Sequence, residues 1–175
     1  MQPMKLLEKT LEQNADSQHS LFSQQDFSSI FPDMTAENLT VLLSRAVKNN
    51  ILERICKGIY LYTKTDYDSS LILFKVAAKL RAGSMNYVTL ETVLSQSGAI
   101  SQQLLGWITV MTTGRSGIIK CGRFGTVELI HTAKNFDKIM PELRLDRVTG
   151  MFWASEKLAL QDMKDCKRPL DLIES

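Results

Sequence analysis

Residues 35–62 read TAENLTVLLSRAVKNNILERICKGIYLY, and the fold turns on this stretch. At about 100° per residue, Leu39, Leu42, Leu43, Ala46 and Val47 fall on one stripe, the pattern of an amphipathic helix. Thr35 stands at the N-cap, where its hydroxyl can accept from a free backbone N–H in the first turn. Asn49-Asn50 is a helix stop, because Asn tolerates a left-handed backbone. Ile51–Cys56 and Ile59–Tyr62 then read as two strands around Lys57-Gly58, with Gly58 supplying the positive φ of a tight hairpin. Opposite the apolar stripe lie Glu37, Val41, Ser44, Arg45 and Lys48, flanked by Asn38 and Thr40. A helix followed by a hairpin occurs in many α+β domains. The exposed chemistry is what singles this one out, since its residue types read base edges or hold phosphates.

The residues before this stretch supply two more helices. Met4–Gln13 has Met4, Leu7 and Leu11 on one face, beside Leu6. Asn14–Ser20 is a polar loop and Leu21-Phe22 a short strand. Ser23-x-x-Asp26 has the form of a capping box that opens a second helix, with Phe27, Ile30 and Phe31 apolar. Pro32 ends it, because the residue before a proline is steered away from helix. Three helices, a tight turn between the second and third, and then a hairpin make the winged variant of helix-turn-helix. The expected partner is double-stranded DNA. The expected contacts are Thr35, Glu37, Asn38, Val41, Ser44, Arg45 and Lys48 on the recognition helix, and Arg54 and Lys57 on the wing.

Thr63–Asp68 is polar and reads as a boundary, giving a winged-helix domain at 1–64 and a small mixed α/β domain at 67–175. The fold class is therefore α+β. In the second half, Ser69–Ala82 reads as a largely buried helix with Gly83 at its C′ position. Tyr87-Val88 is extended, and Thr89 caps a helix that ends at Gly98. Trp107–Thr112, Ile118–Cys121 and Thr126–Ile130 read as strands. A last helix, Ser155–Cys166, turns Leu158 and Met163 to the core, with Ala159 and Leu160 beside them.

With 175 residues, 44% hydrophobic and 23% charged, the composition is that of a globular protein. No apolar run reaches the length of a membrane span, and the N-terminus, amphipathic and carrying acids, does not read as a signal peptide, so the cytoplasm is the expected compartment. Cys56, Cys121 and Cys166 lie far apart without a CxxC, and His19 and His131 are distant from them, so no metal and no other cofactor is expected. The net charge of +2 is small, and residues 1–62 hold six Lys/Arg against seven Asp/Glu. Basic residues gather locally instead: Arg45, Lys48, Arg54 and Lys57 against only Glu53, then Arg115, Lys120 and Arg123 with no acid between Gly114 and Gly125. The second group suits an anionic partner, or is a solvated loop.

Enzyme signatures are missing. There is no G-x-S-x-G, no P-loop, no G-x-G-x-x-G after a strand, and no carboxylate pair at helical spacing on an apolar face. GRSG at 114–117 and GRFG at 122–125 are either anion-binding backbone concavities or plain turns. His131, at a strand end, reads as a structural histidine.

Several short motifs in order resemble the AbiEi family of antitoxins, from about Leu21 to Cys166. They are Gly58-Ile-Tyr60 closing the wing, Tyr87–Glu91 opening a helix, Trp107–Val110 with Thr112-Thr-Gly-Arg115, Phe124-Gly125 before Leu129-Ile-His131, and Ala154–Asp162. The resemblance implies a type IV antitoxin with two roles. The N-terminal winged helix represses its own promoter at inverted repeats. The C-terminal domain counteracts a nucleotidyltransferase toxin without needing a stable complex. This wing is less basic than those of the family, so modest DNA affinity is expected. Two other readings use the same elements: a stand-alone winged-helix regulator, and a protein-interaction module that binds no DNA.

Overall fold

A computed structural model of the chain describes residues 1–100, 105–171 and 173; the end of the expected 67–175 span lies outside them. The chain is mixed α+β and divides into two units, Met1–Ser69 and Ser70–Ser175.

The first unit runs α1 (Pro3–Asn14), β1 (Leu21–Ser23), α2 (Gln24–Ile30), α3 (Ala36–Lys48), β2 (Leu52–Cys56), β3 (Ile59–Tyr62). The strands form an antiparallel sheet in the order β1-β3-β2, with Leu21 opposite Leu61 and Leu52 opposite Tyr62. Helix starts are set by side chains. Ser23 accepts from the Asp26 N–H at 3.1 Å while Asp26 accepts from the Ser23 N–H at 2.6 Å, a complete capping box. Thr35 accepts from the Asn38 N–H at 3.3 Å and caps α3. Asn50, at φ +56°, turns the chain out of α3. The core is built from the expected stripes: Leu7 and Leu11, Phe27, and Leu39, Leu42, Leu43 and Ala46, closed by Leu52, Tyr60 and Tyr62. Phe27 meets Tyr60 edge-on at 5.9 Å between ring centres.

The β2–β3 turn is Lys57-Gly58, with Gly58 at φ +78°. The register slips between Arg54 and Cys56, leaving Ile55 as the extra residue of a bulge. A bulge at this place bends the strand and increases its twist. The β2–β3 ribbon therefore does not run flat.

The second unit carries a 3-10 turn at Ser69–Leu71, then α4 (Ile72–Leu80), β4 (Asn86–Val88), α5 (Leu90–Ser97), β5 (Trp107–Thr112), β6 (Gly117–Lys120), β7 (Thr126–His131), α6 (Phe136–Ile139), β8 (Leu143–Asp146), β9 (Met151–Ala154) and α7 (Glu156–Asp165). Its six strands lie in the order β6-β7-β5-β4-β9-β8. β5 runs parallel to β7 and β4 parallel to β9; the other three pairs are antiparallel.

Four expectations are corrected here. The helix expected over Ser69–Ala82 is a 3-10 turn followed by a shorter α-helix that ends at Leu80. Arg81 is its C-cap, and Gly83 does not adopt a left-handed φ, so it is not the capping glycine. Thr89 stands at the start of α5 but makes no side-chain cap, because its hydroxyl is committed to Asp162. Cys121 lies beyond β6, where its N–H donates to the Gly125 carbonyl at 2.7 Å.

Gly125 is the position where only glycine fits. Its φ is +116°, and a Cβ there would sit 2.0 Å from the Gly106 carbonyl oxygen. That close approach lets the Thr126 N–H reach the same oxygen at 2.8 Å, extending the β5–β7 pairing. Among the described residues no helix is long and apolar enough to cross a membrane.

Candidate nucleic-acid interface

All nine residues expected at the interface are exposed: Thr35, Glu37, Asn38, Val41, Ser44, Arg45 and Lys48 on α3, and Arg54 and Lys57 at the hairpin. Val41 is 49% exposed, unusual for a branched aliphatic residue on a helix with a full core stripe. Among the described residues, no carboxylate forms an ion pair with Arg45, Lys48, Arg54 or Lys57. Their charges are not neutralised within the unit, so an incoming anion has no internal partner to displace.

The helix crest divides these residues into two rows. Thr40, Ser44 and Lys48, each four residues apart, look into a cleft of about 490 Å³ between α3 and the hairpin, where Arg54 and Lys57 also stand. Asn38, Val41 and Arg45 look the other way, into a hollow of about 610 Å³ beside the α2–α3 turn. No α3 residue lines both. The split follows from what stands on each side of α3: the hairpin and Gln24 on one, Pro3, Leu6 and the α2–α3 turn on the other.

Not every exposed polar group is equally available. The Ser44 hydroxyl donates to the Thr40 carbonyl at 2.8 Å, and the Thr40 hydroxyl to the Ala36 carbonyl at 2.8 Å. Both protons are therefore used inside the helix, which leaves acceptor lone pairs outward. Thr35 spends its oxygen on the cap. The cleft also contains Gln24 and Tyr60, which the sequence did not point to. They arrive through strand pairing: the Gln24 N–H donates to the Gly58 carbonyl at 2.8 Å, and Tyr60 sits opposite Arg54. No local motif encodes such a long-range placement.

Arg115, Lys120 and Arg123, expected as one anion-binding patch, are not one cluster. Arg115 precedes β6, while Lys120 ends it and Arg123 lies in the following 3-10 turn. At about 3.3 Å per residue, Arg115 and Lys120 are separated by roughly the length of the strand. Arg123 stacks over the Phe124 ring at 4.2 Å. The Arg115 end also holds Arg81, whose Nε and Nη2 donate to the Arg115 carbonyl at 3.1 and 3.0 Å. His131 joins it there, with Nδ1 2.9 Å from the Gly114 carbonyl.

Sequence reasoning also missed a buried ionic group in this unit. Asp162 is fully buried on α7 and accepts from the Tyr87 hydroxyl at 2.9 Å and the Thr89 hydroxyl at 2.6 Å. Lys134 hydrogen-bonds Asp162 and reaches Asp165 at 2.8 Å. Burial, and then the neighbouring Asp162 charge, push the Tyr87 phenol far above its ordinary range. Burial works against the Lys134 charge, yet its hydrogen bonds to Asp162 and Asp165 raise its pKa overall. Asp162 sits four residues after Leu158, within an apolar stripe, and that position was the available signal. Among the described residues, no group of three or more His, Cys, Asp or Glu is placed to hold a metal ion. Compared with models of known protein families and with curated proteins, the chain matches none.

Proposed function

We propose that residues 1–64 form a winged helix-turn-helix domain that binds double-stranded DNA at inverted repeats in its own promoter. Residues 67–175 then form an antitoxin domain that counteracts a nucleotidyltransferase toxin encoded beside it. The chain acts in the cytoplasm as a type IV antitoxin of the AbiEi kind and catalyses no reaction itself.

The DNA half is supported by one observation above all. Four cations on two elements, Arg45 and Lys48 of α3 with Arg54 and Lys57 of the hairpin, stand exposed around a packed three-helix core, and among the described residues none is ion-paired to a carboxylate. Phosphate neutralisation supplies most of the affinity of such an interface and makes it salt-dependent. The antitoxin half rests on the motif order from Tyr87 to Asp162. The test is fluorescence anisotropy of a labelled duplex taken from upstream of the gene, titrated with the full chain at 50 and 200 mM salt. Saturable binding that weakens steeply with salt is expected. Equal, negligible retention at both salts would leave the exposed face a solvated surface and favour the interaction-module reading.

A further inference from the structure

We infer that two copies of the chain associate through β8, edge to edge and antiparallel. Leu145 of each copy lies at the two-fold axis, and Arg144 stands opposite Asp146 of the other copy. This pairing does not depend on DNA binding, although it has the two-fold symmetry of an inverted repeat.

Among the described residues, β8 is an outer strand of its sheet and pairs with β9 alone. The Ser155 N–H donates to the Glu142 carbonyl at 2.7 Å, and the Gly150 N–H to the Asp146 carbonyl at 2.8 Å. Backbone groups alternate in direction along an antiparallel strand, so Glu142, Arg144 and Asp146 turn theirs toward β9. Leu143 and Leu145 turn theirs outward, onto the open edge. Such an edge is a template for a further strand. Leu145 is 54% exposed and Arg144 is exposed beside it.

Charge selects the partner and the register. A second β8 must set outward-facing residues opposite outward-facing ones, which puts the axis at Leu143, Arg144, Leu145 or Asp146. Directly opposed like charges are unfavourable and opposite charges favourable. An axis at Arg144 sets arginine against arginine, and one at Asp146 sets aspartate against aspartate. An axis at Leu143 uses Glu142, which lies in a 3-10 turn before the strand and already meets Ser155 and Lys157. An axis at Leu145 makes two Arg144–Asp146 pairs and sets leucine against leucine. At the opposite edge, Arg115 and Lys120 flank β6 with positive charge only, so a second copy is repelled there.

The full chain, kept reduced, is followed by sedimentation velocity across a concentration series. A single step from one chain of 19.8 kDa to a pair is expected, and it should weaken as salt rises. Arg144→Asp turns both opposed pairs into carboxylate pairs, and Leu145→Lys sets two ammonium groups against each other at the axis. Each should weaken association about ten-fold or more. Both variants keep Asp146, whose carboxylate accepts from the Thr149 N–H at 2.8 Å and hydroxyl at 2.7 Å and so holds the β8–β9 turn. A mixture of Arg144→Asp with Asp146→Arg chains should pair again, because every opposed position then carries opposite sign. Unchanged thermal midpoints confirm folding; if Asp146→Arg loses its turn, the first two variants decide alone. A wild type that stays single at every concentration overturns the inference. So does wild-type association in Arg144→Asp and Leu145→Lys, a folded mixture that stays single, or growth beyond a pair, the mark of head-to-tail addition.

Discussion

Asp162 ties α7 to the central strand of its sheet through Tyr87 and Thr89, and to Lys134 beyond the end of β7. Removing Asp162 leaves the buried Tyr87 and Thr89 hydroxyls without their acceptor and takes from Lys134 the buried half of its pairing, although Asp165 still meets it at 2.8 Å. Asp162→Ala should therefore destabilise the second unit by about 3–5 kcal/mol. Trp107 and Trp153, the chain's two tryptophans, both lie in that unit, so their fluorescence during urea unfolding follows it selectively. The same group fixes an alkaline limit. Tyr87 and Lys134 both hold their protons more tightly folded than unfolded, from ordinary values of 10.0 and 10.5. Their contribution is present in full below about pH 10 and is lost as pH rises through the folded values, at about 1.4 kcal/mol per pH unit for each proton. Stability should fall above pH 10, and Tyr87→Phe should make that fall shallower. An unchanged slope in Tyr87→Phe would assign the alkaline loss to other groups.

At the scale of elements, the first unit was largely legible and the second only in part. α1, α2, α3 and the hairpin each carry their own period, cap or turn residue, so every boundary has a local cause. Ser23 and Asp26 make the capping box their spacing suggests, and Gly58 takes its positive φ. β8 was not legible, because Leu143-Arg-Leu-Asp146 is half charged and half exposed at a sheet edge. Its register comes from β9, which supplies the pairing. The insertion of β7 between β5 and β6 is a long-range choice with no local mark. Of the candidate interface, which residues are exposed followed from the helix period, but their division between two hollows needed the hairpin in place. Thr35 shows why an exposed polar residue is not automatically a contact. Its oxygen caps α3, so Thr35→Ala should cost about 1 kcal/mol in stability of the first unit, and Thr35→Ser should restore it. Chemical denaturation followed by helix circular dichroism measures this. A loss of DNA affinity without any loss of stability would instead make Thr35 a phosphate contact.

For the whole molecule, the question is whether the proposed neutralisation of a toxin uses the basic residues Arg115, Lys120 and Arg123. They occupy two ends of β6, and a three-residue substitution would confound them. Two variants separate the ends: Arg115→Glu, and Lys120→Glu with Arg123→Glu. Each is co-expressed with the neighbouring nucleotidyltransferase gene while growth and promoter activity are followed. If an end contacts the anionic partner, its reversal should abolish growth rescue and leave repression intact, because exposed charges contribute little to stability. Full rescue by both variants would remove the basic residues from the mechanism and leave the protection to another surface of the chain.

Choosing glutamate over alanine for that test follows from where β6 lies. Among the described residues it is the outermost strand of its sheet, paired with β7 alone, and its Ile118 is 61% exposed. An open edge with an apolar residue at its middle is a template on which further chains can add. Arg115 just before the strand and Lys120 at its end act as gatekeepers, since stacking copies would bring like charges together along the growing ribbon. Glutamate keeps that repulsion with its sign reversed, whereas alanine would leave Gly-Ile-Ile flanked by neutral residues and turn the edge into a seed for aggregation.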